Sequence, residues 1–133
     1  MKNSLREVGR RVKVFARPAA PPEQWIVAPN LVCDPGELLK KCVYELNSPT
    51  LFIENKTCYA KQMISDIPGM KIDTHFSDKS PFPVVIVKHE QEKTKRDGLI
   101  FCYGGLVSNC LEVVAHLKKE EGLYFDIAII NSY

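Results

Sequence analysis

The chain has 133 residues and a mass of 15.1 kDa, with 45% hydrophobic and 26% charged residues and a formal net charge of +2. That length buries roughly two-thirds of the unfolded surface in one compact domain, so folding requires neither disulfide nor metal, and the composition excludes global disorder. No apolar run approaches the ~20 residues that cross a bilayer, which argues against a membrane partner, and residues 1–25 hold no continuous apolar stretch of the secretory kind.

Charge is distributed unevenly. Residues 1–24 carry six basic and two acidic side chains, a net of +4, against −2 for the remainder. A basic arm suits nucleic acid, but no aromatic side chain interleaves its arginines for base stacking, so a solvated terminus is the better reading and nucleic-acid binding is not expected. The cysteines, Cys33, Cys42, Cys58, Cys102 and Cys110, are odd in number and none lies at C-x-x-C spacing. This disfavours a disulfide framework and a zinc site, and fits a reducing, cytoplasmic compartment.

In chain order, residues 1–24 form a basic, proline-rich arm. Trp25–Ala28 is a short apolar strand stopped by Pro29-Asn30. Asp34-Pro35-Gly36-Glu37 starts a helix, with Asp34 as N-cap and Pro35 at the first helical position. Leu38, Leu39, Cys42 and Val43 line its apolar face, and Asn47-Ser48-Pro49 ends it. Thr50–Glu54 is β-branched and aromatic, a strand, so residues 25–60 read as strand–helix–strand.

Residues 61–97 read as an irregular linker, with Val84–Val87 as a possible edge strand because Pro83 opens it and the run from His89 to Asp97 as solvated. Residues 98–133 then repeat the plan. Leu99–Tyr103 is a buried-type strand, a helix covers about 106–121, Gly122 suits its C-terminal cap, and Phe125–Ile130 is a second strand. The expectation is an α/β fold of two strand–helix–strand units with a mainly parallel sheet.

Few residues suggest chemistry. Glu54 ends an apolar strand, where α/β sheets place functional groups, but a strand-end residue that pairs or hydrogen-bonds locally is the simpler reading. Tyr103-Gly104-Gly105 opens a helix after a strand, where amides can hold phosphate, but without a G-x-G-x-x-G or Walker pattern a tight turn is the simpler reading. His75, His89 and His116 are scattered without metal-ligand spacing. The turn at Glu45–Pro49 follows a helix C-terminus, whose carbonyls carry partial negative charge and suit a monovalent cation, although an ordinary helix-ending turn is the simpler reading.

Two stretches resemble a known family. WIVAPN with PGELLKKCVYELNSPTLFIENKTCY, and DGLIFCYGGLVSNCLEVVAHLKKEEGLYFDIAIINSY, are similar to the β subunit of the thiamine-diphosphate-dependent first component of 2-oxoacid dehydrogenase complexes, pyruvate and branched-chain. The first resembles the end of a transketolase pyrimidine domain, carried by Ala28-Pro29, Leu38-Leu39, Asn47, Glu54 and Tyr59. The second resembles the start of a transketolase C-terminal domain, carried by Tyr103-Gly104, Val107, Leu111-Glu112 and Ile127–Asn131.

The resemblance implies thiamine-dependent oxidative decarboxylation of a 2-oxoacid for the whole family. It implies an α subunit and a dihydrolipoyl acyltransferase core as partners, and a mitochondrial matrix location if the source is eukaryotic. It also implies a potassium ion on main-chain carbonyls at Cys42, Glu45 and Asn47, although Ser48 departs from the usual Asn-Pro junction. The glutamate that activates thiamine lies upstream of this stretch in the family, and pyrophosphate and Mg²⁺ belong to the α subunit. The chain alone is therefore expected to have no catalytic or cofactor-binding residue and to bind neither thiamine diphosphate nor Mg²⁺. The alternative is a non-enzymatic module that contacts another subunit or oligomerises through exposed edges, or a small α/β binding protein.

Overall fold

A computed structural model describes residues 24–90 and 95–132 in full, and 12–15 as strand backbone. The rest of the basic arm and most of the charged run before residue 95 lie outside the described residues. In chain order the elements are β1 (Val12–Phe15), β2 (Trp25–Val27), α1 (Pro35–Lys40), β3 (Thr50–Ile53), β4 (Met70–Ser77), β5 (Ser80–His89), β6 (Gly98–Cys102), α2 (Leu106–His116) and β7 (Phe125–Ile130). Each helix ends in a widened π turn, Lys41–Glu45 after α1 and Leu117–Glu121 after α2.

Local sequence explains the helix ends. The Asp34 carboxylate accepts from the backbone N–H groups of Gly36 (2.7 Å) and Glu37 (3.3 Å), with Pro35 occupying a position where no N–H is needed. At the far end of α2, Gly122 takes a left-handed conformation (φ 67°), and Leu123 N donates to Leu117 O.

The strands form two sheets, ordered β1-β3-β2 and β4-β5-β7-β6. Both expected strand–helix–strand units are present, and their strand pairs, β2 with β3 and β6 with β7, are parallel. The other pairings, β1–β3, β4–β5 and β5–β7, are antiparallel, so the fold is α/β with mixed sheets rather than a mainly parallel one.

The segment 61–97 accounts for the difference. Much of it is a long β4–β5 hairpin instead of an irregular linker, and β5 is an inner strand between β4 and β7 instead of an edge. The prolines are tolerated because Pro81 and Pro83 precede the stretch, Val84 to Val87, that pairs with β7.

Two apolar clusters hold the molecule. One packs α2 through Val107 and Val114 onto Val85, Val87, Ile127 and Ile129 of the four-stranded sheet. The other packs Leu38, Cys42 and Leu46 against Val27, Phe52 and Phe82. Residues of one parity on β5, β6 and β7 therefore face α2, while Leu99, Phe101 and Val84 lie on the opposite face.

Candidate functional site

The two parallel units meet end to end. Val27 bridges to Ser132 in antiparallel sense, and Ala28 N donates to Asn131 O at 3.0 Å. Since β7 runs parallel to β6 and antiparallel to β2, the C-terminal ends of β2 and β3 point toward the C-terminal end of β6. Ends of parallel strands are where α/β folds leave crevices, because the chain departs in different directions there.

A cleft of about 390 Å³ occupies this junction, lined by Ala28, Glu54 and Asn55 on one side and Tyr103, Gly104 and Gly105 on the other. An adjoining cleft of about 460 Å³ shares Glu54 and Asn55 and adds Pro29, Tyr59, Lys61 and Met63. Glu54 and Tyr103–Gly105, far apart in sequence and each read more simply as local structure, thus face one space.

Its polar groups have defined partners. Tyr59 donates its hydroxyl to Glu54 Oε2 at 2.6 Å, and that bond to a carboxylate raises the Tyr59 pKa above its usual 10.0. Asn55 Oδ1 accepts from the backbone N–H (3.0 Å) and hydroxyl (2.8 Å) of Thr57, capping the short 3₁₀ turn Lys56–Cys58. This fixes the amide Nδ2 of Asn55 against Gly105, where a Cβ would lie only 1.7 Å away. Gly104 adopts φ 54°, so the turn reading of the two glycines is correct: the first supplies the left-handed bend, the second the close approach. At the α2 start no side chain caps the helix.

Together the two clefts present one carboxylate, two carboxamides, two phenols, a thiol and a lysine, a set suited to recognising a polar ligand by hydrogen bonding. Among the described residues no three His, Cys, Asp or Glu side chains converge.

The potassium candidates lie elsewhere. Cys42 is buried in the core, and burial pushes its thiol pKa up to about 11. The Glu45 carboxylate pairs with Lys41 Nζ at 3.3 Å, and Leu46 N donates to Lys41 O at 3.2 Å across the π turn. This turn leads into β3 at the end opposite Glu54, about 13 Å away along a four-residue strand.

Of the histidines, His75 and His116 are exposed. His89 is the exception to the solvated run expected there: it is 3% exposed, and neither ring nitrogen has a hydrogen-bond partner among the described residues. Its ring meets Tyr124 edge-on at 5.2 Å between centroids. Burial, with the Lys118 and Arg96 cations nearby, lowers its pKa below the usual 6.5. Arg96 grips both carboxylate oxygens of Asp126 (3.0 and 3.1 Å) and donates to His89 O (2.9 Å), so this part of the run is docked onto β5 and β7.

Sequence reasoning missed Asn30, Asn55 and Asn131. Pro29-Asn30 was visible as a turn, but nothing local marks Asn131 as its partner across the junction. Comparison with known protein families, with characterised proteins and with solved structures finds no match.

Proposed function

We propose that the chain is a relative of the β subunit of thiamine-diphosphate-dependent 2-oxoacid dehydrogenases and acts as a scaffold, with no catalysis by the chain alone. In the full family the reaction is oxidative decarboxylation of a 2-oxoacid with acyl transfer to a lipoyl group. One observation supports the reading above the others. The two stretches that carry the resemblance come together at the strand ends, where Glu54 faces Tyr103-Gly104 in one cleft and Tyr59 in the adjoining one. On this reading the first unit corresponds to the end of a pyrimidine domain and the second to the start of a C-terminal domain. The partners are the family α subunit and, through it, the dihydrolipoyl acyltransferase core.

Potassium belongs to the same proposal, held by main-chain carbonyls at Cys42, Glu45 and Asn47. Neutral carbonyl oxygens at a helix end suit a weakly hydrated monovalent cation. A higher melting temperature in KCl than in NaCl at equal ionic strength supports this site; equal melting in both salts removes it. Five unpaired cysteines support a reducing compartment, the cytoplasm or the mitochondrial matrix.

The test is sedimentation of the chain with a purified α subunit of a branched-chain or pyruvate dehydrogenase. A co-sedimenting complex is expected, and separate sedimentation overturns the kinship. Calorimetric titration with thiamine diphosphate and Mg²⁺ gives no micromolar binding to the chain alone; micromolar binding overturns the non-catalytic assignment.

A further inference from the structure

The two ends of the four-stranded sheet are treated differently. At one end, β4 carries Lys71 and Asp73, with Asp73 paired to both Lys71 and Lys88, and a register irregularity between His75 and Ser77. Charge and irregularity of this kind discourage a further strand. At the other end, β6 is Gly-Leu-Ile-Phe-Cys, and no charged residue occurs from Gly98 to Leu111. Among the described residues nothing pairs with its outer side.

Its side chains follow the alternation of the pleat. Ile100 and Cys102 turn toward α2 and the core. Leu99 and Phe101 stand on the other face, 46% and 67% exposed. The row runs inward from Phe101 through Ala128 to Ile86, so the exposed ring continues an apolar strip across the sheet. Water faces an unpaired backbone and a large aromatic side chain on the same five residues.

We propose that β6 is a self-association edge. Two copies pair β6 with β6 in antiparallel sense about a two-fold axis at Ile100, joining two four-stranded sheets into one continuous sheet. The occupant is a second copy because the strand is complementary to itself. With Ile100 opposite Ile100, Leu99 of each copy faces Phe101 of the other, on the same face, giving two aromatic–aliphatic cross-strand pairs.

The available area agrees. Leu99 and Phe101 expose on the order of 200 Å² of side-chain surface per copy, about a quarter of the ~800 Å² that each partner contributes to a standard interface, which fits a weak, concentration-dependent dimer. The proposal goes beyond the functional reading and does not depend on it.

Sedimentation velocity of the whole chain under reducing conditions, over a wide concentration range, tests it. A monomer–dimer equilibrium is expected. Phe101→Glu weakens it by at least about tenfold, because two carboxylates enter an apolar contact. Leu99→Lys combined with Phe101→Glu restores most of the association, since each new lysine then faces a new glutamate. Hydrogen exchange of residues 98–102 keeps the test decisive if a variant folds poorly: in the unmodified chain, protection of these amides rises with protein concentration. A monomer at all concentrations overturns the proposal, as does a dimer indifferent to Phe101→Glu, or β6 amides whose protection ignores concentration. The α-subunit experiment has a separate readout, so the two proposals fail independently.

Discussion

The Asn30 side chain donates from Nδ2 to Asn131 Oδ1 at 2.8 Å, joining positions 101 residues apart. Both are buried, at 3% and 1% exposure, and both are satisfied on their remaining sides. Asn30 Oδ1 accepts from Val32 N and Cys33 N, while Asn131 Nδ2 donates to Pro83 O (2.6 Å) and Cys33 Sγ (3.2 Å). The pair therefore ties β2, the start of the α1 loop, β5 and β7 together at the junction. A fully satisfied network of this kind specifies one arrangement, because losing a member strands the others in a dry interior.

Asn131→Leu is accordingly expected to destabilise the chain by about 2–4 kcal/mol, since it leaves Asn30 and the Pro83 carbonyl unpaired. Urea unfolding reads this as a lower midpoint. Exposed Tyr44→Ser, outside any such network, stays within about 0.5 kcal/mol of the parent.

Gly105 is predicted to accept no side chain while Asn55 is present. Gly105→Ala drives a methyl group into the Asn55 carboxamide and costs about 1–3 kcal/mol as the cleft wall shifts. Combining it with Asn55→Ala costs less than the sum of the two single changes, with a coupling of about 1 kcal/mol in a double-mutant cycle. Additive costs show that the two residues do not press on each other.

His89 makes stability depend on pH in a defined direction. Its folded pKa lies below the unfolded value of 6.5, so the unfolded chain takes up the proton first. The full contribution is present above pH 6.5 and declines as pH falls below it, by at most about 1.4 kcal/mol per pH unit, until the folded pKa is passed. The facing groups Lys118 and Arg96 oppose protonation, and Asp126 favours it. His89→Phe flattens this slope while other acid-sensitive groups, such as Asp73 held low by Lys88 and Lys71, act further down in pH. Chemical denaturation at a series of pH values checks the shape.

The cysteines are expected to differ sharply in reactivity. Burial pushes Cys42 to about 11 and, with the neighbouring Cys110 thiol, Cys102 to about 12, so almost no thiolate exists near neutral pH. Cys58 lines the open cleft. Iodoacetamide in native buffer labels Cys58 first and leaves Cys42 and Cys102 unmodified until urea is added; peptide mass spectrometry locates the label.

Local chemistry made the helices and their flanking strands readable. Asp34-Pro35 and Gly122 are caps whose meaning lies within a few residues, and the parallel pairs followed from short loops around amphipathic helices. The β4–β5 hairpin was hidden because its face alternation, Met70, Ile72, Thr74 and Phe76 against Lys71, Asp73 and His75, is flanked by Gly69, Pro81 and Pro83, which read as turn residues. Glu54 and Gly104-Gly105 were visible one at a time. Their meeting depends on β2 and β6 facing each other end to end, which follows from pairing across about a hundred residues and leaves no local trace.

That end-to-end geometry also orders events during folding. Each parallel unit closes over short sequence distances, and so does the β4–β5 hairpin. The cleft forms only when Ala28 and Asn30 find Asn131, a search over nearly the whole described chain, and long loops close late. The first unit is therefore expected to keep its strand ends uncovered until β7 is in place, and the junction to assemble after the two units it joins.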